Sequence, residues 1–182
     1  SFMRFILIVV VFATLVACKN QNTAEENREV AATTSPASTE EDQLLDEVQK
    51  QTISYFWEGA NKDSGLAPER IHMDGIYPSD DKNVVTIGGT GFGLMAIVAG
   101  AERGFIPKDS AFARFQKMVD FLDNADRFHG AWPHWLDGTT GKVKPFSKND
   151  DGGDLVETAF LVQGLLSVAE YYKDLCLPQI ER

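Results

Sequence analysis

The sequence predicts an all-α protein built from two antiparallel helix pairs in concentric layers. Three observations carry this expectation. From residue 40 onward, four segments place apolar residues at helical spacing. These segments alternate between amphipathic and apolar nearly all round, and the connections between them alternate between long and short. An amphipathic helix has one face to bury and lies outside, whereas a helix apolar on every side needs neighbours around it.

Residues 1–39 stand outside this pattern. Arg4 is followed by an apolar run from Phe5 to Val16, shorter than the roughly 20 apolar residues that a membrane-spanning helix needs. The run ends in Leu15-Val16-Ala17-Cys18, which reads as a lipoprotein signal over residues 1–18, with Cys18 the lipidated residue. Export and anchoring by lipid alone, on the periplasmic or cell-surface side, are therefore expected. Residues 19–39 are polar, lack aromatic residues and show no periodicity, so they predict a disordered tether. Cys176 is the other cysteine, and no intrachain disulfide framework is available once Cys18 is modified.

The first helix opens at Ser38-Thr39-Glu40-Glu41, with Leu44, Leu45, Val48, Tyr55 and Phe56 on its apolar face. The second, within "GFGLMAIVAGAERG", is apolar nearly all round from Phe92 to Ala101, and the glycines before it predict a turn. Asp109 is expected to cap a third, amphipathic helix whose stripe is Phe112, Phe115, Met118, Val119 and Leu122. The fourth, Leu155 to Tyr172, is apolar again, with Glu157 and Glu170 its only charges. Long connections precede the second and fourth helices, and only Gly104 to Lys108 separates the second from the third. Alternating helix direction then places both long loops on one face, beside the N-termini of the inner helices. Two pairs leave an apolar flank uncovered. With the abrupt ending "LCLPQIER", this predicts that residues 40–182 are the N-terminal part of a larger ring.

The net charge of −10 and the lack of a basic run argue against a nucleic-acid partner. Gly91-Phe92-Gly93-Leu94-Met95-Ala96 matches a dinucleotide-type glycine pattern, but no βαβ context is expected around it. Its small residues suit close helix approach instead. The histidines His72, His129 and His134 lack a metal-ligand spacing, and Ser147 to Thr158 fails as a calcium loop because the twelfth position is not acidic. No metal and no cofactor is expected.

Two stretches are richer in chemistry. In residues 126–146, Phe128, Trp132, Trp135 and Phe146 alternate with His129, His134, Asp137 and Lys144. Flat aromatic faces beside polar groups suit a sugar ring, although the same rings could simply hold a long loop to the helices. Next, Asp150, Asp151, Asp154 and Glu157 cluster at the start of the fourth helix. Asp154 and Glu157 form a capping box in outline, which accounts for two of the acids. If the helix starts earlier, Asp150, Asp154 and Glu157 share one face at i, i+4 and i+7. Closely spaced carboxylates can divide general-acid and general-base roles.

"TGFGLMAIVAGAERGFI", "FHGAWPHWLDGTTGKVKPFSKNDDGGDLVETAFLVQGLL" and "YFWEGANKDSGLAPER" together resemble the glucoamylase-like family of bacterial α/α-toroid proteins, which includes endo-β-1,2-glucanases. The likeness covers residues 44–172 and is densest over 128–166. It implies an (α/α)6 toroid, of which this chain holds about the first third, and an inverting glycoside hydrolase acting on β-glucan. It implies catalytic or water-positioning roles for Asp150, Asp154 and Glu157, and a sugar site lined by Trp132, His134, Trp135 and Asp151, with Arg70 reaching the glycan. The expected partner is an oligo- or polysaccharide, β-1,2-linked glucan first. The alternatives are a glycan-binding lipoprotein without catalysis and an inactive remnant.

Overall fold

The glycines that precede the second apolar segment are helical, not a turn. In this computed structural model, which describes residues 39–145 and 147–173, α1 spans Glu40–Trp57, α2 Ile87–Glu102, α3 Lys108–Asn124 and α4 Leu155–Tyr171. Two short strands, β1 at Val84–Thr86 and β2 at Trp135–Asp137, precede α2 and α4. The expected export signal with Cys18, the tether as far as Ser38, Phe146 and Cys176 lie outside the described residues.

Helix α2 begins five residues before Phe92 because its glycines are needed for contact, at a propensity cost near 1 kcal/mol each relative to alanine. A Cβ at Gly91 would lie 2.8 Å from the Leu161 amide nitrogen, and one at Gly164 would lie 2.9 Å from the Gly91 Cα. The α2 and α4 backbones therefore touch directly, and this is the most extensive contact between elements. Gly93 receives the Phe56 ring from α1, and Gly100 faces Ile53 and Ile106. The expected inner pair is thus α2 and α4, with α1 and α3 packed on α2.

The core contains Leu66, Val85, Ile87, Leu94, Ile97, Met118, Leu136 and Leu161, all fully buried. At the far end of the helices, buried Tyr172 packs on Phe112 and Phe115, and its hydroxyl donates to the Lys108 carbonyl. Neither inner helix is buried on every side, however. Phe92, Met95, Phe160, Val162 and Leu166 remain exposed, and the Phe92 and Phe160 rings meet at 5.1 Å on this open flank.

Two outer-helix expectations change. In α3 the buried stripe is Ala111, Phe115, Met118 and Leu122, while Val119 is exposed. Its N-cap position is Pro107 rather than Asp109, which lies one residue inside as an acid of the first turn. In α1 only Ile53 is buried, and Leu44, Leu45 and Val48 are exposed. The second half of α1 rests on α2 through Ile53 and Phe56, whereas in the first half Asp46 pairs with Arg103 at the end of α2.

The strands are an addition that the periodicity did not announce, since three residues are too few to show alternation. They pair antiparallel, Val84 with Asp137, Val85 with Leu136 and Thr86 with Trp135. This joins the two long connections, residues 58–86 and 125–154, on one face, as helix direction required. A strand therefore does precede the glycine-rich helix, but its partner runs antiparallel, so among the described residues it belongs to no βαβ unit. No described helix is long and apolar enough to cross a membrane.

Candidate functional site

Helix α4 starts with a half-made capping box. The Asp154 carboxylate accepts from the Val156 and Glu157 amides at 2.9 and 3.0 Å, satisfying two of the amides that a helix start leaves without partners. The reciprocal bond does not form, because the Asp154 amide already donates to the Trp132 carbonyl at 2.8 Å. The half-buried Glu157 side chain turns instead to α2, where its Oε2 accepts from the Gly88 amide at 2.8 Å. A Cβ at Gly88 would stand 2.5 Å from that oxygen, so only glycine leaves this carboxylate its place. Glu157 thus joins the N-terminal turns of the two inner helices.

Residues 126–145 are not an irregular loop but a folded ribbon that delivers side chains to this point. Phe128 and Ala131 exchange backbone hydrogen bonds around His129 and Gly130. Both of those residues have positive φ, the geometry of a tight hairpin turn that glycine favours. Further on, the Asp137 carboxylate accepts from the Thr139 and Thr140 amides, and Lys142 returns to pair with Asp137. Asp126 ties the hairpin base to the end of α3 through the Val143 amide and Lys142.

Within this ribbon the predicted sugar-site residues take different positions. His134 bonds through Nδ1 to Asp154 Oδ2 at 3.2 Å. An ionised carboxylate can only accept, so Nδ1 carries the proton in that pair. Its carbonyl accepts from the Ile87 amide at 3.2 Å, and its ring stands edge to face with Trp135 at 5.2 Å. Trp132 is drawn inward: its indole N–H donates to the Leu122 carbonyl, its amide to Thr158 Oγ1, and Arg127 covers its ring at 5.3 Å.

Asp150 does not join Asp154 and Glu157 on a helical face. The helix begins only at Leu155, and Asp150 sits in a turn whose amide bonds to Ser147. The chain between them is non-helical, and a Cβ at Gly153 would stand 2.9 Å from that of Ala131. Asp151 is exposed. Arg70 belongs to a second polar group in the first connection, paired with Glu69 and lying 3.7 Å from Asp81, which also faces His72 at 3.5 Å. His72 Nε2 and Asp81 Oδ1 are buried there without a hydrogen-bond partner among the described residues. Lys144 bridges toward this group by donating to the Asp80 carbonyl.

The Glu157 amide, opposed by partial burial and joined by the Val156 amide and His134, holds Asp154 below the usual carboxylate range. Asp154 therefore stays ionised through mildly acidic pH and accepts hydrogen bonds without supplying a proton. Among the described residues no group of three His, Cys, Asp or Glu side chains is placed to hold a metal ion. Sequence reasoning missed Gly88 and Thr158. The glycine run read as a turn entering the helix, and a threonine at the fourth helical position carried no signal beyond propensity.

The two inner helices thus bring their N-termini and an acid-bearing junction to the face where the two long connections are joined. No family model matches the sequence. The exo β-1,2-glucooligosaccharide sophorohydrolase (non-reducing end) of Parabacteroides distasonis is 50% identical over 152 residues, covering 83% of this chain and 20% of that protein. The endo-β-1,2-glucanase of Chitinophaga pinensis, solved with sophorotriose and glucose, superposes with a TM-score of 0.72 at 57% identity, over 74% of this chain and 32% of that one. A glucoamylase-like protein of Bacteroides caccae gives the same TM-score and coverage at 61% identity. The chain belongs to this glucoamylase-like family and spans about a fifth of the curated relative and a third of these solved structures.

Proposed function

We propose that this chain is the N-terminal part of an exported, lipid-anchored glycoside hydrolase that cleaves β-1,2-linked glucan with inversion. The observation that carries the reading is the placement of Glu157. It is a half-buried carboxylate at the meeting of both inner helices, with Oε1 free of hydrogen bonds among the described residues. Relatives whose names state β-1,2-glucan hydrolysis support the substrate class.

Inverting hydrolysis needs one carboxyl group to protonate the leaving oxygen and one carboxylate to activate water. Glu157 is the essential acid of this region. Asp154, kept ionised, orients His134 and holds the first turn of α4 that carries Glu157. Asp150 and Asp151 approach from the preceding turn as water- or hydroxyl-binding groups. Trp135 and His134 present an aromatic edge and a ring nitrogen to the sugar, with Arg70 contributing from the first connection and Trp132 supporting the ribbon beneath them. Completion of the site by further helix pairs, and anchoring through Cys18, belong to the same proposal.

In the full-length protein, Glu157→Gln is expected to lower β-1,2-glucan hydrolysis by about 10²- to 10⁴-fold, the usual range for a general acid or base, with the melting temperature retained. Reducing-end release at near wild-type turnover by the folded variant sinks the assignment. Glucan binding without any hydrolysis by the wild-type protein favours the capture-lipoprotein alternative.

A further inference from the structure

We propose that Gly88 is a positioning residue for Glu157, and that its amide selects Oε1 as the oxygen through which Glu157 exchanges its proton. The proposal rests on the reading of Glu157 as the essential acid. The Gly88 N–H donates to Oε2 at 2.8 Å, and a donor can be received only at a lone pair. The carbonyl-type oxygen of a protonated carboxyl group is the better acceptor, so this bond favours Oε2 as the acceptor and Oε1 as the oxygen that carries the proton. One backbone amide thus sets both the direction of the group and the atom that reacts.

The amide is itself rigidly placed. Ile87 N–H donates to the His134 carbonyl, Ile87 is fully buried, and Thr90 Oγ–H donates to the Thr86 carbonyl at 2.6 Å while accepting from Ala67 N–H. The first turn of α2 is therefore held from the ribbon, from the core and from the first connection at once. Glycine is required at 88 for a separate reason. The atoms that a Cβ would meet are the Glu157 carboxylate oxygens and Cδ, at 2.5 to 3.1 Å. That group is the far end of a flexible side chain, so a methyl there moves Glu157 rather than the helix.

This predicts a variant that folds but is misaligned. In the full-length protein, Gly88→Ala is expected to keep its melting temperature within a few degrees and its KM within about threefold, while kcat falls at least about tenfold, the consequence of displacing a reacting group. Unchanged kcat in folded Gly88→Ala, with Glu157→Gln inactive, overturns the positioning role and leaves Glu157 essential. Full activity of Glu157→Gln overturns the underlying reading, and the proposal with it. A second measurement covers the case in which Gly88→Ala does not fold. In protein labelled selectively with 15N-glycine, the Gly88 amide proton resonance is expected to move upfield in Glu157→Ala, and an unmoved resonance overturns the hydrogen bond.

Discussion

Asp154 shows how one side chain can serve stability and the site together. As N-cap it should contribute about 1 kcal/mol, so Asp154→Ala should lower stability by roughly 0.5–2 kcal/mol in denaturant titration. Its ionisation adds a pH term whose sign follows from the depressed folded-state value. That contribution is fully present above the unfolded value near 3.9 and is lost as pH falls through the lower folded value. Asparagine also caps well but does not titrate. Melting temperatures measured between pH 6 and pH 2 should therefore fall less steeply for Asp154→Asn than for the wild type, and parallel curves would refute the assignment. At this scale the cap was legible in the sequence, because Asp154-Leu155-Val156-Glu157 names its own geometry. The direction of Glu157 was not, because it depends on which amide is left for it once Trp132 has taken the donor of Asp154.

Among the elements, the contact of α2 with α4 governs everything else, since it sets the distance that Glu157 must bridge. Gly91 and Gly164 form it backbone to backbone. Gly164→Ala gains helix propensity of up to about 1 kcal/mol, but the new Cβ presses on a helix backbone that cannot swing aside. Overpacking of that kind costs about 1–3 kcal/mol, and we expect net destabilisation of about 1–2 kcal/mol, read from the midpoint of urea unfolding. A variant at least as stable as wild type would show that the helices can separate freely. The periodicities of α3 and α4 were readable because one face of each is driven to a single core. The start of α2 was not readable, because glycine reports turn and tight packing alike in a single sequence. The β1 and β2 ribbon escaped for a related reason: its pairing joins residues 49 or more positions apart, and each strand alone is too short to show a pattern.

Over the whole molecule, the described inner helices leave Phe92, Met95, Phe160, Val162 and Leu166 exposed, while the chain spans about a third of the solved relatives it matches. The proposed anchor acts at this scale as well. Replacing Cys18 by alanine in cells should abolish incorporation of labelled fatty acid and move the protein from the membrane to the soluble fraction. Continued membrane retention and labelling would exclude Cys18 as the lipidated residue. What the sequence determined by itself were the helical class, the order of inner and outer elements, the capped start of α4 and the acids gathered there, because each is a local pattern of polarity and spacing. Only the tertiary structure decided that the glycine run is helical, that Asp150 stands off the helix, that Trp132 is turned inward and that Glu157 reaches across to Gly88. Those outcomes depend on competition for backbone donors and for space between segments distant in the chain, and such competition leaves no local trace.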